Sequence, residues 1–269
     1  MALGNLAARI ATAVVLVPGI IAALWWHRPE AIWAIAFAAT LATLVEYFTI
    51  ALVDPVERRF GVLAGGALAA LVYWWPPGLH VALPACVIAP GLFLLFRHGD
   101  LTTVFDRLGR MAFGLVYAGL LLGTIALLKR DGKPDGGDWV LLVLLTAWLG
   151  DTFGYFAGRA FGKKQLYPSI SPGKTWAGAM GGLGGAFLAA VLANTWFFPE
   201  LGWGHGAVVT LVGGMLGQLG DLVESMLKRS AGVKDSGNLL PGHGGMLDRV
   251  DAVLFIAPWM YCYQQLAIC

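Results

Sequence analysis

Ala207 to Asp251 reads AVVTLVGGMLGQLGDLVESMLKRSAGVKDSGNLLPGHGGMLDRVD. Its first part, 207–227, is an apolar run as long as a bilayer crossing requires, about 20 residues. Its second part crowds Lys228, Arg229, Lys234, Asp235, His243, Asp248, Arg249 and Asp251 into a short stretch. A segment in hydrocarbon must satisfy its backbone internally, so an apolar run of this length predicts a helix. An ionisable group near hydrocarbon costs at least ~2.5–3.5 kcal/mol, so such groups face a cavity and mark function.

The same alternation runs through the whole chain. Hydrophobic residues make up 58% and charged residues 13% of the 269, and mean hydropathy is +0.72. Soluble domains are about 45–50% apolar and about 25% charged, so a soluble core is excluded. Apolar runs predict spans at 10–26, 31–50, 60–76, 80–96, 111–128, 138–158, 176–198, 207–227 and 250–268. The expected fold is all-α: a polytopic integral membrane protein of about nine transmembrane helices, with a cytoplasm-facing polar cavity. Pro18, Pro84 and Pro90 fall inside runs and predict broken helices. One membrane domain is expected over 1–269, with N-terminal helices over about 1–130 and catalytic helices and loops over about 138–269.

Met1–Trp26 carries Arg9 before its apolar run and lacks a small-residue cleavage site, so it reads as an uncleaved first span. Cys86, Cys262 and Cys269 show no paired spacing, which predicts neither disulfides nor zinc. Trp25, Trp26, Trp74, Trp75, Trp196 and Trp203 sit at span ends as an interfacial belt, not as a base-stacking platform; nucleic acid is not an expected partner. His27, His80, His98 and His205 read as interfacial.

Positive charge orients the spans. With the N-terminus cytoplasmic, all of the 18 Lys and Arg residues except Arg28, Lys129, Arg130 and Lys133 fall on the inner side. The exceptional loop balances its cations with Asp131, Asp135 and Asp138. Both polar clusters, Arg159–Thr175 and Lys228–Arg249, then share the cytoplasmic face, where soluble nucleotides and lipid headgroups meet.

The first cluster follows Asp151, a carboxylate in or near a span, and offers Lys163, Lys164, Ser169, Ser171, Lys174 and Thr175. Lysines and hydroxyls beside glycines suit a polyphosphate. Gly173-Lys174-Thr175 is not a P-loop, because that motif needs a glycine where Pro168 stands. Lys163 and Lys164 read equally as topology signals; Lys174, framed by Pro172 and Gly173 at a span mouth, is the better functional candidate. Gly178/Gly182 and Gly181/Gly185 form small-xxx-small pairs that predict close helix packing.

In the second cluster Asp221 and Ser225 are four apart on one helical face, with Gln218 and Glu224 close by. Asp248 and Asp251, three apart, share a face if helical. Carboxylates from separate helices can clamp a hard cation such as Mg²⁺ carrying substrate phosphates; the alternative is a structural ion network around Arg249. Pro241–Gly245 has too many glycines for a helix and predicts a turn. His243 there reads as a phosphate donor, an acid, or a plain turn histidine.

At these residues the chain resembles the CDP-diacylglycerol synthases (phosphatidate cytidylyltransferases). Their signature S-x-x-K-R-x4-K-D-x-G-x2-L-P-G-H-G-G-x-x-D-R-x-D is met at Ser225, Lys228, Arg229, Lys234, Asp235, Gly237, Leu240, Pro241, Gly242, His243, Gly244, Gly245, Asp248, Arg249 and Asp251. Asp151/Tyr155 and Ser171/Pro172/Lys174/Thr175 are similar to the family's upstream segments, while Ala177 departs from the usual Glu or Gln. The resemblance implies CTP + phosphatidate → CDP-diacylglycerol + pyrophosphate, a homodimer in a bacterial inner membrane, and Mg²⁺ on Asp221 and Asp248 with a second cation (K⁺ or Mg²⁺). Asp221, Asp248, Asp251 and Lys174 are the expected catalytic residues, Asp251 and Lys174 on the residues' own placement and charge. Asp151, Lys164, Ser171, Lys174, Thr175, Ser225, Lys228, Arg229, Lys234, Asp235, His243 and Arg249 are the expected substrate contacts. Rival readings are a CTP-dependent polyprenol kinase and a transporter, for which intramembrane charges would serve as ion sites.

Overall fold

The computed structural model describes residues 18–97, 99–132, 134–237, 239 and 244–268. It is mostly helical. Helix α1 (Glu30–Ala51) is followed by α2 (Pro55–Trp74) and α3 (Gly78–Arg97). Helix α4 (Val104–Gly114) runs through a π-helical segment, Leu115–Leu121, towards α5 (Thr124–Asp131). Helix α6 (Gly136–Phe161) leads into strands β1 (Gln165–Tyr167) and β2 (Ser171–Thr175), then α7 (Trp176–Leu192). The long α8 (Trp203–Ser230), the short α9 (Leu247–Val250) and α10 (Val253–Tyr263) complete the described elements.

Six of the described segments are long and apolar enough to cross a bilayer: Glu30–Ala51, Gly78–Arg97, Leu101–Asp131, Gly136–Phe161, Trp176–Phe197 and Trp203–Ser230. Val253–Ile268 is a shorter apolar helix. The chain is therefore a polytopic helical membrane protein. Most of the expected first span, 10–26, lies outside the described residues; 18–25 is helical. Helix α2 has 20 residues but opens on Glu57, Arg58 and Arg59 and is not one of the six. Asp54 caps it, accepting from the N–H groups of Val56 (2.7 Å) and Glu57 (3.3 Å), with Pro55 in the first turn where no N–H is needed.

Two expectations are corrected. The fold is not purely α: β1 and β2 pair antiparallel, with Gln165 opposite Thr175 and Tyr167 opposite Ser171. Pro172 uses the one group a strand proline still offers, its carbonyl, which accepts from Gln165 Nε2 at 3.0 Å. Nor do the prolines break α3, which continues through Pro84 and Pro90. The helical irregularities lie at the π segments Leu115–Leu121, Ala193–Phe197 and Gln264–Ile268.

Helices α6 and α7 form the most intimate pair in the molecule. Glycines make this possible. A Cβ on Gly178 would come to 3.0 Å of the Gly154 carbonyl oxygen, and one on Gly154 to 3.2 Å of the Gly178 oxygen. Such contact brings two backbones close enough for dispersion to hold helices that gain nothing from the hydrophobic effect in lipid. The small-xxx-small pairs thus act in packing, as expected. Gly185 meets the backbone of Leu149 and Gly150, whereas Gly184 faces open space. Gly185→Leu is expected to lower stability by about 1–3 kcal/mol through overpacking; Gly184→Leu should leave it unchanged. Thermal unfolding in detergent compares the two, and equal midpoints would rule out the glycine seam.

Candidate active site

Site geometry starts from the hairpin. Thr175 ends β2 and caps α7, its Oγ1 accepting from the Gly178 N–H at 3.1 Å. The preceding residue, Lys174, is thereby aimed across at α8, where its Nζ pairs with Asp221 Oδ2 at 2.6 Å. The Trp176 N–H bonds back to the Lys164 carbonyl at 3.0 Å and fixes the foot of the hairpin. Below it opens a cavity of about 470 Å³ lined by Asp151, Tyr155, Arg159, Lys174, Gln218 and Asp221, with the glycines of α6 and α7 as its wall. Arg159 donates to the Tyr155 hydroxyl at 3.0 Å, and Gln218 to the Ala179 carbonyl at 3.1 Å.

At the inner edge the carboxylates of Asp221, Glu224 and Asp251 converge, with one oxygen from each within 4.8 Å of the others. Asp221 and Glu224 lie a helical turn apart on α8, and Asp251 arrives from the turn between α9 and α10. Ser225 Oγ donates to Asp221 Oδ1 at 3.4 Å. Glu224 Oε2 pairs with Lys228 at 2.8 Å, while Glu224 Oε1 is buried with no hydrogen-bond partner among the described residues.

Lys228 also donates to Asp248 Oδ1 at 2.7 Å. Asp248 Oδ2 also accepts from the Ser236 N–H at 3.2 Å. The result is one continuous chain of charge: Lys174, Asp221, the Glu224–Asp251 pair, Lys228, Asp248. Four carboxylates face two lysines, and a cation among them would relieve that excess.

Of the sequence-predicted residues, the structure brings together Asp151, Lys174, Asp221, Ser225, Lys228, Asp248 and Asp251. The two expected metal ligands do not share one carboxylate group: Asp221 is in the convergent triad, and Asp248 stands across Lys228 from it. Thr175 lines the cavity but is occupied as a cap. Ser171 lies on β2 and Lys164 at the hairpin foot, neither lining the cavity. Arg229, Lys234, Asp235 and Arg249 are exposed, Arg249 within electrostatic range of Asp151. His243 lies outside the described residues.

The sequence reading placed Glu224 beside Asp221 and Ser225 without assigning it to the site, and it missed two other residues. Glu46 was a lone carboxylate inside the apolar run 31–50, which the same intramembrane-charge argument would have flagged. Tyr117, on the π segment, is buried, its hydroxyl without a partner among the described residues and within electrostatic range of Glu224, Asp251 and Asp221; no sequence signal singles it out.

Residues 7–267 match the sequence profile of the Cytidylyltransferase family. The chain belongs to this family. It is thus a nucleotidyltransferase. It is 37% identical over 194 residues to the phosphatidate cytidylyltransferase of Brucella abortus biovar 1 (strain 9-941), covering 66% of this chain and 71% of that one. It is 38% identical over 183 residues to the protein of that name from Bacillus subtilis (strain 168), covering 68% and 66%. With the one from Staphylococcus saprophyticus, identity is 43% over 128 residues, covering 48% and 49%.

The carboxylate group can be tested without turnover. Mn²⁺ binding followed by electron paramagnetic resonance is expected to weaken at least about tenfold in Asp221→Asn. Unchanged affinity would remove Asp221 from the group.

Proposed function

We propose that this chain catalyses CTP + phosphatidate → CDP-diacylglycerol + pyrophosphate. The observation that carries the reading is the convergence of Lys174 with Asp221, Glu224 and Asp251 beside a 470 Å³ cavity among membrane helices. That volume lies within the range of small-molecule sites, about 300–1,000 Å³. The names of the relatives agree with it.

The phosphatidate phosphate attacks the α-phosphorus of CTP, and the new P–O bond forms as the bond to pyrophosphate breaks. The nucleophile is already an anion, so the chain need not supply a general base. Its work is positioning and neutralising charge. Lys174, which lines the cavity beside Asp221, meets the phosphates, with Arg159 lining the same space. Lys228 at the carboxylates, with the exposed Arg229, Lys234 and Arg249, offsets the triphosphate and the lipid phosphate. Asp151 and Ser225 keep Lys174 and Asp221 oriented.

The donor set fits Mg²⁺: it is all oxygen, it holds more carboxylate than lysine, and Glu224 Oε1 is a buried acceptor without a donor among the described residues. Asp221, Glu224 and Asp251 would hold it, with Asp248 next in the chain of charge and a second cation, K⁺ or Mg²⁺, among the same carboxylates. Bound there, Mg²⁺ would supply charge neutralisation at the phosphate oxygens. On this reading α2, the α9–α10 unit and 10–26 join the six helices as spans. Nine spans then set the N-terminus and both polar clusters on the cytoplasmic side of a bacterial inner membrane, in a homodimer.

Purified protein given labelled CTP, phosphatidate and Mg²⁺ should release pyrophosphate and place cytidine in the lipid, both lost on chelation. Release of CDP with no cytidine in the lipid would show a kinase and overturn the proposal. Asp248→Asn is expected to abolish turnover while membrane insertion stays intact. A fully active Asp248→Asn enzyme would sink its place in the catalytic group.

A further inference from the structure

Glu46 lies in the C-terminal half of α1, far in sequence from every motif, and the mechanism above does not use it. It is 5% exposed. Both its oxygens are taken by the segment 236–247. Oε2 accepts from Ser236 Oγ at 3.0 Å and from the Leu247 N–H at 2.8 Å, and Oε1 accepts from the Met246 N–H at 2.9 Å. Among the described residues it forms no ion pair, so three neutral donors carry its charge.

Two signature glycines, which the chemistry leaves unexplained, lie against this carboxylate. A Cβ on Gly237 would come to 2.9 Å of Glu46 Oε1, and one on Gly245 to 2.7 Å of Oε2. Only a residue without a side chain lets the backbone close so tightly on the acid. Asp248 grips the same segment from within, accepting from the N–H groups of Ser236 and Gly245, each at 3.2 Å. Ser236 thus joins the two acids, by its hydroxyl to Glu46 and by its N–H to Asp248. The Met246 and Leu247 N–H groups stand at the start of α9, where no helical carbonyl can reach them. Left unpaired in a buried place, they would favour another backbone path.

We propose that Glu46 is a positioning residue, a latch on α1 that draws the two described ends of segment 236–247 together and so sets Asp248 and Asp251 against Asp221 and Glu224. The inference rests on the metal-binding reading of those carboxylates. It explains why an N-terminal helix carries an acid buried against a C-terminal motif. Glu46→Gln replaces one acceptor oxygen with an NH2 group that faces donors, so the latch loses contacts while the side chain keeps its size. Ser236→Ala removes a single contact and is the milder variant.

Each variant is compared with the wild-type full chain in detergent by Mn²⁺ affinity, by Mg²⁺ half-saturation of turnover, and by tryptic cleavage at the exposed Lys234. For Glu46→Gln, Mn²⁺ affinity should fall and Mg²⁺ half-saturation should rise by about 10–100-fold, as for removal of a ligand's supporting partner. Cleavage at Lys234 should quicken. Ser236→Ala should move all three in the same direction by less, and the double variant should show less than the product of the two effects. A merely structural role would shrink the active fraction and leave half-saturation and Mn²⁺ affinity unmoved, which would overturn the proposal. So would unchanged cleavage at Lys234 in both variants. If wild-type protein binds no Mn²⁺, the metal reading fails instead, and the cleavage comparison alone decides the latch.

Discussion

Charge inside an apolar chain must be answered by charge or by donors within a few ångströms, and this constraint organises the molecule around its site. Water cannot do the work at the depth of a membrane helix. Asp221 is met by Lys174 at 2.6 Å, Asp248 by Lys228 at 2.7 Å, and Glu46 by three donors of a segment two hundred residues later. Each pairing joins elements that the chain order keeps apart. The hairpin is tied to α8, α8 to α9, and α1 to the segment ahead of α9. A structure assembled this way cannot place its carboxylates without also placing its helices.

Close packing makes those pairings reachable. The α6–α7 seam lets two glycine-lined backbones touch, and the same surfaces continue as the wall of the cavity beneath Lys174. Hence the small residues of this seam serve packing at one height and access at another. The hairpin between the two helices is short because they already lie side by side. Its register fixes Thr175 opposite Gln165 and hands Lys174 to Asp221.

Beyond the site, the remaining polar groups are dealt with at the helix ends. Arg107 pairs with the buried Glu57, Arg97 with Asp54 at 3.0 Å, and Arg110 donates to the Ala51 carbonyl at 2.9 Å. Arg130 pairs with Asp131, which also accepts from the Tyr261 hydroxyl at 2.9 Å. These contacts staple helices together, while in the Lys174–Asp248 chain four carboxylates face two lysines.

By itself the sequence determined the membrane-spanning helical class, because long apolar runs have one stable answer in lipid. It also identified most of the residues that meet at the site, because intramembrane charge is too costly to carry without use. Asp151, Lys174, Asp221, Asp248 and Asp251 were all legible in that way. The Gln165–Thr175 hairpin was not, since strand pairing is a property of two segments and the proline in the second argues against it. The division of the carboxylates between a convergent triad and a lysine-bridged neighbour was equally invisible, as spacing along a helix says nothing of which acid arrives from the next one. Nor could spacing pair Glu46 with Ser236 and Leu247. Only the tertiary structure decided that, because a buried acid is satisfied by whichever donors the fold delivers to it, at any distance along the chain.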